Sequence, residues 1–266
     1  MTSPHRPIGV MDSGLGGLSV WKELFSLMPD EPYLYLGDSE FCPYGSRSSG
    51  EIRDRVAKTV GFLMDHGCKA IVVACNAITA ASIDFLRQTY ALPFIGMEPA
   101  IKPASLNTRT GAVGVLATER TLKGELFSST RSRYARDICV VEKVGTGLVE
   151  KVEALDFDSK ETLALLETCI HPMLAHNIDH LVLGCTHYPF LQNAIQTLVG
   201  DRVTLVNPAP AVALRTENVL RETNLRSHIS GETETPVFYT TGDTEKMNRM
   251  LSFMRVTHAG ARSVTL

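Results

Sequence analysis

Short runs of apolar residues alternate along this chain with longer stretches in which apolar positions recur at helical spacing. The short runs predict buried strands at residues 7–11, 33–36, 70–75, 93–97, 110–118, 181–185, 203–206 and 236–240. The longer stretches predict helices at residues 18–28, 50–66, 77–90, 210–223 and 244–255. A polar loop is predicted over residues 224–234. Strands that alternate with helices indicate an α/β fold with doubly wound, mostly parallel sheets.

The pattern begins again about halfway along the chain. Gly9 and Gly114 hold the same place in two predicted strands 105 positions apart, and Cys75 and Cys185 end two others 110 positions apart. Two pairs of equivalent residues that are separated by nearly the same number of positions indicate an internal duplication. Proline-containing segments at 98–100 and 207–209 mark the crossings between the halves. We therefore predict two pseudo-symmetric domains, residues 1–98 plus 208–266 and residues 99–207, with the active site at their interface.

Composition narrows the class of function. The 266 residues, 44% of them hydrophobic, are enough to bury a sizeable core. A net charge of -3 with scattered lysines and arginines provides no basic surface, so no nucleic-acid partner is expected. The apolar runs fall far below the roughly 18 residues of a membrane span, and the N-terminus lacks the apolar core of a signal peptide. We expect a cytoplasmic protein that acts on a small molecule.

The cysteine pattern argues against disulfides and metal. Six cysteines without an export signal are expected to be reduced thiols. No pair of cysteines has the spacing of zinc ligands, so a zinc site built on Cys185 and His187 is disfavoured and no metal is predicted. The remaining thiols are interpreted as small hydrophobic side chains that pack in the core: Cys42, Cys68, Cys139 and Cys169.

A glycine-rich loop, Asp12-Ser-Gly-Leu-Gly-Gly17, joins the first predicted strand to the first helix. Glycines there allow close backbone approach to an anion, so one hypothesis is a nucleotide-dependent oxidoreductase with Asp38 on a ribose. However, Ser19 replaces the third glycine of that motif, and Asp12 would repel a pyrophosphate. The carboxylate of Asp12 suits a bound ammonium group better, with Ser13 and N–H groups on a carboxylate. An Asx turn that only stabilises the loop is equally consistent.

Two cysteines have equivalent positions in the predicted fold. Cys75 and Cys185 each end a strand and precede a hydrogen-bonding side chain, where α/β proteins bind ligands. Two opposed thiols suit an acid–base pair that removes a proton from one face of a carbon and returns one to the other. Because free cysteine titrates near pH ~8.5, each thiol needs a neighbour to move its proton. Asp12, His187 or an acid of the second half are the candidates.

Several short motifs extend this pattern along nearly the whole chain. They are Gly9-Val-Met-Asp-Ser-Gly-Leu-Gly-Gly17, Gly37-Asp38, Cys42-Pro-Tyr-Gly45, Ala74-Cys-Asn76, Ile95-Gly-Met-Glu-Pro-Ala100 and Leu183-Gly-Cys-Thr-His-Tyr-Pro189. In order and spacing the chain resembles the cofactor-independent aspartate/glutamate racemase superfamily. That resemblance implies two α/β domains with the site between them, and it implies that no cofactor takes part.

The resemblance also implies which residues form the site. The catalytic residues would be two thiol bases and their three assistants: Cys75, Cys185, Asp12, His187 and Glu153. Glu150 competes with Glu153 for the role of second-half acid. Substrate contacts would be made by Asp12, Ser13, Tyr44, Gly45, Asn76, Ala77, Thr118, Thr121, Thr186 and His187.

The chain departs from the family pattern at three places. Ala77 stands where the family has threonine, Thr118-Glu-Arg-Thr121 replaces Thr-x-Gly-Thr, and Gly145-Thr146 replaces Cys-Pro. The resemblance implies that the reaction is the conversion of L-glutamate to D-glutamate for peptidoglycan. The alternatives are an aspartate or broad-specificity racemase, the oxidoreductase described above, and a non-catalytic amino-acid-binding protein. Assembly as a homodimer is left open.

Overall fold

The computed structural model describes residues 5–227, 235–256 and 260–266. The strands are β1 Ile8–Asp12, β2 Tyr33–Gly37, β3 Ala70–Val73, β4 Phe94–Gly96, β5 Ala112–Ala117, β6 Cys139–Val144, β7 His180–Gly184, β8 Thr204–Val206, β9 Val237–Thr240 and β10 Ala261–Ser263. The helices are α1 Leu18–Leu27, α2 Ser49–Asp65, α3 Asn76–Thr89, α4 Ile101–Asn107, α5 Glu119–Leu122, α6 Glu125–Tyr134, α7 Leu148–Glu153, α8 Lys160–Leu174, α9 Gln192–Val199, α10 Ala209–Glu222 and α11 Thr244–Phe253. Short 3-10 helices occupy Ser39–Phe41, Tyr44–Ser46 and Tyr188–Leu191.

The described strands form two parallel sheets. One has six strands in the order β10-β9-β2-β1-β3-β4, and the other has four in the order β6-β5-β7-β8. The order β2-β1-β3-β4 is therefore repeated, strand for strand, by β6-β5-β7-β8. This arrangement confirms the predicted duplication and the α/β class. The domain boundaries at 98/99 and 207/208 stay a prediction, and both fall in segments that connect one sheet to the other.

The register extends the equivalence to single residues. In the first sheet Gly9 pairs with Ile71, and in the second Gly114 pairs with Leu181. Cys75 and Cys185 both lie four residues beyond these pairing partners. Because carboxyl ends of parallel strands open at one edge of a sheet, the two thiols leave their sheets at equivalent points.

Local sequence explains where the helices begin. Ser48 caps α2 with a reciprocal capping box, in which its hydroxyl accepts the Glu51 N–H and the Glu51 carboxylate accepts the Ser48 N–H. Gly67 follows the C-terminus of α2 with a positive φ of 75°, a conformation that glycine adopts without steric cost. Strand β6 was not predicted, since it lies at a sheet edge and its side chains are mostly half-buried. Residues 228–234 of the predicted polar loop lie outside the described residues.

Helices cover both faces of each sheet, and the core continues between the halves. One apolar cluster includes residues of β1, α1 and α10 from the first half and of α7, α8 and α9 from the second. Two smaller clusters lie on the outer faces of the two sheets. The shared cluster packs the two halves of the molecule against each other. Within the described ranges, no helix combines the length and apolar content that a membrane span requires.

Candidate active site

A narrow cleft lies where the two sheets face each other. It is lined by Ser13, Pro43, Tyr44, Gly45, Cys75, Asn76, Ala77, Thr118, Val149, Cys185 and His187. Both candidate thiols therefore border the same space. The free volume is about 10 Å³, close to the minimum that one water molecule needs. Two larger depressions, of about 330 and 450 Å³, are lined by residues of the surface helices and include neither thiol.

Cys75 stands between the end of β3 and the first turn of α3. It is the N-cap of this 14-residue helix, and its Sγ lies 3.7 Å from the Ser13 hydroxyl oxygen. Burial raises the pKa of the thiol well above its usual range, and the nearby carboxyl of Asp12 raises it further. The backbone N–H of Ile78 acts in the opposite direction, as expected at a helix N-terminus. Burial thus favours the thiol form of Cys75, whereas the Ile78 N–H at the start of α3 favours the thiolate.

Cys185 heads a chain of three titratable side chains. Its Sγ lies 3.6 Å from His187 Nδ1, and His187 Nε2 lies 2.7 Å from Glu153 Oε1. The backbone N–H of Leu15, from the first half, donates to the same Glu153 oxygen at 2.6 Å. Glu150, the competing candidate, is exposed one turn earlier on α7. The geometry therefore favours Glu153 as the acid that supports the Cys185 side.

His187 carries a perturbed imidazole. Its burial disfavours the charged form and lowers the pKa, but interactions with Cys185, Cys42 and Glu153 outweigh this effect. The net result is a pKa well above the ordinary value of 6.5. The raised pKa favours the imidazolium form of His187, whose Nδ1 can donate a proton towards the Cys185 sulfur 3.6 Å away.

Asp12 lies behind the cleft and does not line it. Its side chain is fully buried, accepts the Gly14 N–H at 2.9 Å and faces the Thr186 hydroxyl at 3.4 Å. The bond to Gly14 is the Asx turn considered from the sequence. Burial raises the pKa of the Asp12 carboxyl, with the His187 charge opposing it. Asp12 can therefore hold a proton near Cys75, while Thr186 links it to the second half.

The glycines of the first loop make room for the second half of the molecule. A Cβ on Gly14 would overlap the Glu153 carboxylate, and one on Gly16 would overlap the His187 ring. The close approach that suggested a pyrophosphate is thus made by two side chains of this chain. The Asp38 carboxylate, which was proposed to bind a ribose, instead forms an ion pair with Arg55. Both features that suggested a nucleotide-dependent oxidoreductase are thus accounted for by contacts within the chain.

Tyr44 is fixed by a buried ion pair. Arg55 Nε and Nη2 donate to the two carboxylate oxygens of Asp38 at 2.7 and 2.8 Å, and the Tyr44 hydroxyl donates to the same carboxylate. The Thr241 hydroxyl completes the set at 2.7 Å. A bidentate pair of this kind fixes orientation as well as distance. It holds the Tyr44 ring at the wall of the cleft.

The remaining predicted substrate contacts divide into two groups. Asn76, Ala77, Thr118 and Gly45 line the cleft, whereas Thr121 does not. The Thr121 hydroxyl lies 2.9 Å from that of Thr118 and orients it from behind. Both amide atoms of the Asn76 side chain are buried without a hydrogen-bond partner among the described residues. A buried unpaired amide costs about 1–3 kcal/mol, so this side chain favours a polar ligand in the cleft.

Three residues near the site were not predicted. Pro43 and Val149 line the cleft as apolar wall. Cys42, interpreted as a packing thiol, has a sulfur within 4.8 Å of a ring nitrogen of His187 and a carboxylate oxygen of Glu153. Burial raises the pKa of Cys42 to about 12. The only sequence signal was its place in the Cys42-Pro-Tyr-Gly45 motif.

Comparison with known proteins agrees with this geometry. Residues 8–216 match the Asp/Glu/Hydantoin racemase family. The chain is 45% identical over 255 residues to a glutamate racemase of Stutzerimonas stutzeri (strain A1501), with 96% of each chain covered. A crystal structure of a glutamate racemase isoform from Bacillus anthracis has a TM-score of 0.88 and 30% identity, covering 99% of this chain and 98% of that one. A Francisella tularensis glutamate racemase in complex with D-glutamate has a TM-score of 0.84 and 29% identity, with 98% of each chain covered. By sequence and by structure, this chain belongs to the Asp/Glu/hydantoin racemase family.

Proposed function

We propose that this enzyme interconverts L- and D-glutamate by a two-base mechanism without a cofactor. The observation that carries the proposal is the register equivalence of Cys75 and Cys185, which border one cleft from two duplicated sheets. The binding of D-glutamate by the Francisella relative supports glutamate as the substrate. The product would supply D-glutamate for peptidoglycan. The domains would be residues 1–98 plus 208–266 and residues 99–207.

In the proposed reaction the α-carbon of glutamate lies between the two sulfurs. One cysteine, as thiolate, removes the α-proton and becomes a thiol, leaving a carbanion at the α-carbon. The other cysteine, as thiol, donates its proton to the opposite face and becomes a thiolate. The configuration at the α-carbon is inverted, and the reaction involves no net oxidation or reduction. Family resemblance favours Cys75 as the base for D-glutamate and Cys185 as the base for L-glutamate.

The two thiols have different neighbouring groups that stabilise the thiolate and exchange its proton. On one side, the α3 N-terminus stabilises the Cys75 thiolate, and the buried carboxyl of Asp12 can exchange its proton. On the other side, the His187 imidazolium stabilises the Cys185 thiolate, and Glu153 stabilises the imidazolium. Each thiol therefore has a partner that can hold a proton between turnovers.

Substrate binding would use the polar groups of the cleft. The α3 N-terminus and the Asn76 amide are donors suited to a carboxylate. Ser13, Tyr44 and Thr118 add hydroxyls on the facing walls, and Gly45 lets its loop approach Thr118 closely. Ala77 contributes only its backbone N–H, since it lacks the hydroxyl of the family's threonine.

A circular-dichroism assay with L- and D-glutamate tests the proposal. Metal-free enzyme without added pyridoxal phosphate or nicotinamide should convert either enantiomer to the racemic mixture. The same assay with aspartate measures whether the enzyme accepts a shorter substrate. This control is needed because Ala77 replaces the threonine of the family pattern. Activity that disappears on chelation and returns with zinc, or a faster reaction with aspartate than with glutamate, would contradict the proposal.

A further inference from the structure

Cys42 lies beside two side chains that also belong to the proposed catalytic site. Within residues 5–227, 235–256 and 260–266, three metal-ligating side chains converge once: Cys42, Glu153 and His187, each offering one ligand atom within 4.8 Å of the others. Cys75 and Cys185 do not belong to such a group in this part of the chain. The proposed racemisation makes no use of Cys42. Its sulfur nevertheless faces the imidazole and carboxylate that support Cys185.

The donor set has the chemistry of a zinc site. One thiolate, one imidazole nitrogen and one carboxylate oxygen are the three ligand types that bind Zn²⁺, and zinc sites with three protein ligands keep one position open. Metal–ligand bonds of about 2.0–2.3 Å place tetrahedral ligand atoms roughly 3.3–3.8 Å apart. His187 Nε2 and Glu153 Oε1 are now 2.7 Å apart and would separate by less than about 1 Å. The Cys42 sulfur lies within 4.8 Å of both other ligand atoms, so it would move inward by at most about 1.5 Å.

The groups around these three residues would support a bound cation. With a metal on Nε2, the opposite nitrogen Nδ1 stays 3.6 Å from Cys185, which is the kind of outer partner that orients a metal-bound histidine. The Leu15 N–H holds Glu153 at 2.6 Å. Binding would release two protons to solvent, one from the Cys42 thiol and one that His187 Nε2 shares with Glu153. Two of the three ligands are thus already oriented by their neighbours.

We propose that Cys42, His187 and Glu153 form an inhibitory binding site for a thiolate-binding divalent cation such as Zn²⁺. The cation replaces the proton that His187 shares with Glu153, so Cys185 loses its route for proton exchange. Turnover stops while the fold stays intact. The inhibition rests on the proposed racemase function, whereas the binding of metal does not.

Cobalt provides a direct readout of binding. Co²⁺ alone is titrated into the metal-free enzyme with a phosphine reductant, and the thiolate-to-cobalt absorption is recorded in the near ultraviolet. Wild-type enzyme should develop the band, and Cys42→Ser should bind at least about tenfold more weakly, the lower end of what loss of a supporting partner costs at metal sites. Cys139→Ser removes an exposed thiol remote from the site and is the matched control. Cys75→Ser should keep the band, because Cys75 is not a ligand.

Zn²⁺ inhibition of glutamate turnover is measured next, each variant against its own metal-free rate. Inhibition should be reversed by a chelator and should require at least about tenfold more Zn²⁺ in Cys42→Ser, matching the loss of affinity. Cys42→Ala, with far-ultraviolet circular dichroism as a check of folding, repeats the test with a smaller side chain. A band or a zinc sensitivity that persists in both Cys42 variants would overturn the proposal, as would loss of the band in Cys75→Ser. If glutamate is not racemised, the cobalt titration still decides whether the site exists.

Discussion

Cys75 and Cys185 occupy the same register position in two sheets of the same strand order, yet their neighbours differ. Cys75 meets a serine hydroxyl and the N-terminus of α3, whereas Cys185 meets the imidazole of His187. The two cysteines therefore have equivalent backbone positions but different electrostatic surroundings. Because each thiol faces its own side of the cleft, the two directions of the reaction depend on different supporting groups.

Glu153→Gln should move the alkaline limb of the pH–rate profile to lower pH. Hydrogen bonding with Glu153 helps to hold the pKa of His187 well above 6.5, and an amide cannot stabilise the imidazolium equally. The variant therefore loses the imidazolium at lower pH. Rates for both enantiomers are measured from pH 6 to 10. Glu150→Gln, one turn away and exposed, is the control and should leave the limb unchanged.

The same raised pKa affects stability. A histidine whose pKa is higher in the folded protein stabilises the fold fully below its unfolded value near ~6.5, and this contribution is lost as pH rises through the folded pKa. Chemical denaturation of wild type and Glu153→Gln should therefore differ more near pH 6 than at high pH, where the two should converge. A difference that grows with rising pH would contradict the assignment of charge to His187.

Asn76→Ala should weaken substrate binding without lowering stability. The amide has no partner among the described residues, so its removal breaks no hydrogen bond there. If it donates to a substrate carboxylate, about 1.5–3 kcal/mol is lost, or roughly a tenfold to hundredfold rise in KM. Steady-state kinetics and a thermal melt measure the two effects. A clear fall in melting temperature with an unchanged KM would mean that Asn76 is structural.

Ala77→Thr restores the hydroxyl that the family pattern contains. One neutral hydrogen bond is worth about 0.5–1.5 kcal/mol, so KM for glutamate should change by roughly tenfold or less. The kcat should change little, because the thiols are not affected. A change of several orders of magnitude in kcat would show that position 77 takes part in the proton transfers.

Arg120→Ala should loosen the contact between the two halves beside the cleft. Arg120 follows Thr118 in α5 and donates to the Ser49 hydroxyl at 3.2 Å and to the carbonyl of Arg47, both from the first half. Amide hydrogen exchange in the Tyr44–Ser46 segment should become faster in the variant. Arg136 is exposed and donates to the carbonyl of Ser132 in the preceding helix, so Arg136→Ala provides the control. Equal exchange in both variants would show that Arg120 does not restrain this loop.

The residues at the strand ends could be predicted from the sequence. The contacts that these residues make across the cleft could not. Cys75 and Cys185 could be predicted because a buried strand followed by a polar turn determines where a side chain emerges. The choice between Glu150 and Glu153 could not, since it depends on how α7 is rotated against the first half. Cys42 was missed because its segment is irregular and its path is set by tertiary contacts, such as the Glu40 N–H donating to the Thr241 hydroxyl at 3.1 Å. Assembly as a homodimer stays open.

The central claim is that two thiols serve opposite faces of one carbon, and isotope exchange at early times tests it most directly. In deuterium oxide, the product formed from either enantiomer should carry deuterium at the α-carbon, while unreacted substrate stays largely protiated. Cys75→Ser and Cys185→Ser should each abolish racemisation, because a serine hydroxyl is too weak an acid to form the required oxyanion at neutral pH. Substantial transfer of the substrate's own α-proton to product, or substantial racemisation by either variant, would contradict the two-thiol mechanism.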